Sequence, residues 1–403
     1  MKICKTQIRN IIAESIWIIA IALYTAIVYI KNSLLSADIV ISNAQLHKLA
    51  VLGVMLLVIV EILEFKFDKS YLLRSIVAGA VLGVLFLILF RWAGTSTVQK
   101  YYAQVFFYVF AARNIEWKHT GLVVGLELLL LLLITFFLAN DGRIPNFVFV
   151  QSFSETRVRQ SLGFYYCLQF TAVLLNAIFL ILSARENKIH IVTLIIFMAA
   201  SILVYEITDA RIGFTGIGIA IIATLILKYF PEIIEKFRWL FCLLAVSPFL
   251  YLILSVIMAE IFDPDVAWMR AVDVKLESRL SLNYKGMANY GVSLFGQSVR
   301  WQGAGADSSG YTALDVSSYN WVDNVYIKEL IDHGVVYEVI IISLITITMI
   351  QCVRERRYLN VLLIAILYGI GLLDDNLRIY CFNSMILMIG VTFMKWRRIR
   401  ATE

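Results

Sequence analysis

"GLVVGLELLLLLLITFFLAN", residues 121–140, carries a single charge, Glu127, in an otherwise apolar run. A helix rises 1.5 Å per residue, so about 20 apolar residues cross the hydrocarbon core of a bilayer. A strand of that length would alternate polar and apolar positions, and this run does not. It reads as a transmembrane helix. The same ruler applied outward gives about twelve spans, at 11–30, 47–65, 71–93, 99–113, 119–140, 164–184, 189–207, 211–230, 239–261, 335–352, 358–374 and 378–396. The reading is an all-α polytopic membrane protein, a single integral domain over residues 1–403, with one large, partly helical external loop at 262–334 between spans nine and ten.

Composition agrees. Of the 403 residues 61% are hydrophobic and 16% charged, against about 45–50% and about 25% in soluble domains. The five cysteines, Cys4, Cys167, Cys242, Cys352 and Cys381, are scattered, with no C-x-x-C pair. That spacing indicates neither a disulfide framework nor a zinc site. The first apolar run has no A-x-A-like exit and reads as an uncleaved helix. Gly79 with Gly83 and Gly121 with Gly125 are G-x-x-x-G pairs, the spacing of close helix packing.

Charge sets the orientation. With twelve spans and both termini in the cytoplasm, 20 of the 35 Lys and Arg fall inside, as the positive-inside bias requires. The clusters "RERR" at 354 and "KWRRIR" at 395 act as anchors on an anionic leaflet rather than as a nucleic-acid surface.

The arginines left outside then stand out. Arg157 and Arg159 precede span six, Arg211 lies in the short turn "ITDARIGFTG", and Arg279 and Arg300 lie in the long loop. Guanidinium groups suit carboxylate or phosphate, and an arginine on the disfavoured side of the membrane marks a candidate site. A pairing of Arg211 with Asp209 or Glu206 is the plain structural alternative. Glu127 and Asn176 lie inside spans five and six, where an interhelical hydrogen bond is the expected role. His119 and His190 fall at cytoplasmic span ends. No P-loop, H-E-x-x-H or G-x-S-x-G stretch is present, and the sequence offers neither a metal site nor a cofactor site.

The long loop is rich in aromatics, among them Trp268, Tyr284, Tyr290, Trp301, Tyr319 and Trp321. Disordered segments are poor in these residues, so the loop is expected to fold as a cap. Rings interleaved with Asn, Asp and Gln suit the apolar faces of sugars. The loop ends in "DNVYIKELIDHGVV", 323–336. Here Tyr326, Leu330 and Gly334 recur at helical spacing beside Ile327, Ile331 and Val335. Asp323 and Asn324 stand at the helix start, where Asp is a favoured cap. Lys328, Glu329, Asp332 and His333 complete a polar face.

In its order of features the chain resembles the Wzy-type O-antigen and capsular polysaccharide polymerases and their relatives, the O-antigen ligases. The shared elements are about a dozen spans, "RQSLGF" before a mid-chain helix, the external turn "TDARIGFTGIGIA", and "ESRL…LFGQSVRWQG…DNVYIKELIDHGVV" in a late external loop. The resemblance implies a glycosyltransferase of the bacterial plasma membrane that acts outside it, without nucleotide or metal. Undecaprenyl-diphosphate-linked oligosaccharide units would be joined into O-antigen, capsule or exopolysaccharide, beside a flippase and a chain-length regulator. It implies a diphosphate clamp from Arg211 and Arg279, with Arg157, Arg159 and Arg300, and Asp323 as base with His333 second. Asn324, Tyr326, Asn283 and Tyr284 would contact the glycan. Ligases carry a His where this chain has Asp323, which favours polymerase over ligase. A lipid-linked oligosaccharide flippase is the alternative of another class.

Overall fold

The computed structural model describes residues 5–38, 42–92, 97–152, 156–303 and 319–393. The basic stretch 395–400 lies outside them. The described residues are mostly helical, and among them seven helices are long and apolar enough to cross a membrane: Ile8–Asn32, Asn43–Glu64, Lys69–Trp92, Trp117–Asn140, Ile191–Thr208, Arg211–Tyr229 and Gly334–Arg354. Their outward faces carry large apolar side chains such as Ile62, Leu87, Val192 and Leu203. Faces of this kind, on helices of this length, suit a lipid environment.

The expected twelve spans are not all helices of spanning length. The ninth run is two helices, Arg238–Ala245 and Ser247–Ile261, bent by 47°. Pro248 stands at the start of the second, and a proline there cannot donate to the preceding turn. The fourth run breaks at Gln104 into two seven-residue helices, Thr97–Ala103 and Val105–Ala111. The sixth is Gln169–Arg185, of 17 residues, and the eleventh Tyr358–Ile370, of 13. After Gly371 the chain runs through short 3₁₀ turns to the helix Met388–Phe393, where the described residues end, so the first part of the twelfth run is not one continuous α-helix. The polar run Asp374–Arg378 interrupts the apolar pattern there. The fold also departs from all-α at one point: Val148–Ser152 and Thr156–Gln160 form an antiparallel hairpin.

Close packing explains one glycine pair. A Cβ on Gly121 or Gly125 would meet Leu180 O or Ala177 O of the Gln169–Arg185 helix at 3.0 Å. A Cβ on Gly79 would reach only the Phe110 ring, and one on Gly83 would meet nothing. Asn176 spends its side chain between helices, donating to Cys381 O at 2.9 Å and accepting from Ser384 N at 3.1 Å.

The two ends of the bundle differ. At one end, simple pairs join neighbouring helices: Arg113 with Glu61 at 2.7 Å and Arg357 with Glu186 at 2.7 Å. The other end gathers the hairpin, the turn before Arg211, the helices Ala267–Lys275 and Arg279–Tyr290, and the segment around Asp374–Arg378. A strap at 293–297 ties the long loop to the bundle. Ser293 O and Leu294 O accept from Val335 N and Val336 N at 3.0 and 3.1 Å, capping the first turn of the Gly334–Arg354 helix. Gly296 and Gly334, with φ of +79° and +87°, pass too close for side chains. Trp92 pins the strap by donating to Phe295 O at 2.7 Å.

Candidate functional site

The short helix Val325–Asp332 sits at the centre of this end. Its cap is Asn324, whose side chain accepts from Tyr326 N at 3.0 Å and Ile327 N at 3.2 Å and donates to Ser255 at 2.9 Å. Asp323, one residue earlier, is therefore not needed as a cap. The apolar stripe is buried except at Val335, which is exposed, and Tyr326 donates to Tyr368 O at 2.7 Å. Asn324 and Tyr326 thus build the helix into the bundle. The helix stops at His333, and a separate helix starts at Gly334.

The polar face of this helix meets Asp375 and Arg378. Arg378 donates to Glu329 and to Asp332, both at 2.7 Å, and stands 3.9 Å from Asp375. Lys328 is fully buried, donates to Asp375 at 2.7 Å and lies 3.0 Å over the Trp321 ring. Trp301 donates to Asp332 at 2.8 Å. His333 Nδ1 pairs with Glu329. Burial pushes Lys328 down to about 8 against the pull of Asp375. Burial alone would raise Glu329, but His333 and Arg378 hold it down at about 2.

Two joined lobes open beside this network. The larger, about 420 Å³, has Trp301, Trp321, Gln297, Lys328, His333 and Arg378 among its walls. The smaller, about 280 Å³, is walled by Tyr165, Tyr166, Tyr319 and Trp321 with Asp323 and Asp374. Gln169, Trp321, Asp375 and Asn376 belong to both. In the smaller lobe burial pushes the Asp323 carboxyl up to about 6, with Arg279 working against it. Burial, then Asp375, pushes Asp374 up to about 7.

Arg279 begins the Arg279–Tyr290 helix. Its Nε donates to Leu373 O at 3.0 Å and lies 3.7 Å from Asp323, and its Nη1 donates to Leu276 O at 3.0 Å. The backbone carbonyls fix the guanidinium in place, while its carboxylate contacts, with Asp323 and with Glu277 at 3.6 Å, stay loose. Asn283, on the same helix, is buried, and its Oδ1 has no hydrogen-bond partner. Tyr284 is exposed, its ring 6.1 Å from that of Phe262.

The remaining arginines form a separate row. Arg211 is 59% exposed and 3.4 Å from Asp209, which also faces the buried Arg159 at 3.8 Å. Tyr166 links this row to the smaller lobe, since both Asp323 and Arg159 act on its hydroxyl. Arg157 pairs with Gln151 in the hairpin, and its side chain lies outside the described set. Arg300 is exposed. Neither Arg211 nor Arg300 lines either lobe.

Asp323 and His333 therefore open into adjoining lobes, and Arg279 stands against Asp323. Sequence reasoning missed Asp374 and Arg378, which it placed at the ends of two spans, and Asp375 in the turn between them. The signal was present: "DDNLR", 374–378, is a charged cluster between apolar runs. No protein-family model, curated protein or solved structure matches the chain.

Proposed function

We propose that the protein is a polysaccharide polymerase, a glycosyltransferase that joins lipid-diphosphate-linked oligosaccharide units at the outer face of a bacterial plasma membrane. The observation that carries this reading is Asp323. Its carboxyl faces an aromatic-walled lobe, is pushed up to about 6, and stands 3.7 Å from an arginine held by backbone carbonyls. A base poised near neutral pH beside a fixed cation suits transfer to a hydroxyl with departure of an anion. Trp and Tyr rings with Gln169, Gln297 and Asn376 suit stacked sugars and their hydroxyls.

In this reading the acceptor hydroxyl gives its proton to Asp323. Its oxygen bonds to the anomeric carbon of the donor as the bond from that carbon to the diphosphate oxygen breaks. The lipid diphosphate leaves with the electron pair, its charge met by Arg279. Arg159 and Arg211 lie where they can guide a diphosphate towards the lobe. No nucleotide is required, because the donor already carries its leaving group. The broken fourth, sixth, ninth, eleventh and twelfth runs count here as traversals, which places both termini in the cytoplasm. A flippase would supply the units and a chain-length regulator would set the end point.

The test is the size and carrier of the glycan in cells lacking the protein. Single repeat units on the final acceptor are expected. Full-length chains still on the lipid diphosphate would make the protein a ligase. Lipid-linked units held on the cytoplasmic face would make it a flippase and remove the role given to Asp323.

A further inference from the structure

Below the larger lobe lies a second chamber of about 60 Å³, with Leu89, Tyr102, Glu329, Tyr337 and Arg378 common to both. A water occupies about 10–15 Å³ on this measure, so the chamber has room for a few water-sized guests. Two buried side chains bring unspent polar atoms to it. Glu338 is 2% exposed and makes no hydrogen bond or ion pair among the described residues. Asn383 is 4% exposed; its Nδ2 donates to Leu377 O at 3.2 Å, but its Oδ1 has no partner. The hydroxyl of Tyr326, its proton given to Tyr368 O, retains free lone pairs on the same wall.

The charge count around the chamber is uneven. Lys328 pairs with Asp375, Arg378 with Glu329 and Asp332, and His333 Nδ1 faces Glu329. Glu338 belongs to none of these pairs. The charged groups that reach Glu338 are Glu329 and Arg378, both already committed. The titratable groups facing it from the other packed elements are tyrosines, Tyr102, Tyr326, Tyr368 and Tyr380, and Tyr337 is its neighbour on the same helix. A buried carboxyl either holds a proton or needs a counter-charge. Its neighbours offer oxygen donors, which suit a hard cation rather than a transition metal. Arg378 on the same wall disfavours a divalent ion.

We propose that Glu338 and Asn383 form a site for one alkali-metal cation, Na⁺ or K⁺, beneath the cleft. The ion is bridged by the Glu338 carboxylate and Asn383 Oδ1, with tyrosine oxygens completing its shell. It lies one helical turn below His333 and adjusts the charge felt by the Glu329–Arg378 pair, so the cleft senses the ionic medium. This site does not depend on the group-transfer reading.

The test is thermal unfolding of the purified full-length protein in detergent, followed by tryptophan fluorescence. NaCl, KCl and choline chloride are compared at matched ionic strength and mildly alkaline pH. Saturable stabilisation of about 3 °C by Na⁺ or K⁺ over choline is expected, lost in Glu338→Gln and weakened in Asn383→Ala. Equal melting in all three salts overturns the proposal. So does a response to falling pH that is the same in each salt, which would mean that Glu338 holds a proton instead. If Glu338→Gln does not fold, Asn383→Ala decides: an unchanged cation response there places the ion elsewhere. Glycan chain length does not enter the readout, so failure of the polymerase reading leaves the result interpretable.

Discussion

The network around Arg378 and the Arg279–Asp323 pair lie on the two sides of one cleft and use charge in opposite ways. Around Arg378 every ionic group is met at hydrogen-bond distance: 2.7 Å to Glu329, 2.7 Å to Asp332, and 2.7 Å from Lys328 to Asp375. Those groups have little left for a ligand, and their charge is spent on holding a polar segment at the lip of the bundle. Arg279 and Asp323 meet only at 3.7 Å, with the arginine fixed mainly by carbonyls. A pair that is positioned but unsatisfied can exchange its partner for a substrate. The network around Arg378 is closed, and the Arg279–Asp323 pair is the part of the cleft left open.

This contrast can be broken by substitution. The largest effect is expected from Arg378→Ala, which strands Glu329 and Asp332 and removes about 3–5 kcal/mol. Membrane levels of the protein should collapse, as an immunoblot would show; normal levels would mean that the network is dispensable. Asp323→Asn should leave levels intact and lower chain elongation by about 10²–10⁴-fold. In the wild type, elongation should fall as pH drops through about 6, where the Asp323 carboxyl takes up its proton. A flat profile from pH 7 to 5, within the range over which the protein stays folded, would remove Asp323 as the base.

Arg279→Ala should cost about 10²-fold in elongation at normal protein level. Arg211→Ala should cost less than about tenfold, because that side chain is exposed and lines neither lobe. Equal losses in the two would put the diphosphate nearer the hairpin than the cleft. The smallest effect is expected from Asn324→Ala, a lost helix cap worth about 1 kcal/mol. It should lower the melting temperature while leaving the pH profile of elongation unchanged. A shifted profile would show that Asn324 acts on the chemistry as well.

Much of the architecture was legible because bilayer thickness is a simple ruler. The runs at 71–93 and 119–140 correspond to the helices Lys69–Trp92 and Trp117–Asn140 within a few residues. Hydropathy sums over a window, however, and does not register where hydrogen bonding breaks. The interruption at Gln104 and the turns after Gly371 were therefore hidden inside apolar stretches. The segment 323–333 could be identified as exceptional from its polar face alone. The cluster at 374–378 stands out in the same way, but nothing local in the sequence links it to 323–333, because the two meet only through folding. The role of Asn324 over Asp323 as the cap is likewise a matter of geometry, since both residue types serve.

The order of synthesis gives Arg378 a further consequence. It follows its partner Glu329 by 49 residues, about 2–10 s at typical rates of about 5–20 residues per second. During that interval Glu329 and Asp332 have left the ribosome without the cation that will hold them. The polar network therefore cannot be complete on a nascent chain until Arg378 has been made. A partly inserted molecule would present Asp332 without Arg378 and Glu329 with His333 alone, a state that quality-control proteases could distinguish from the finished bundle.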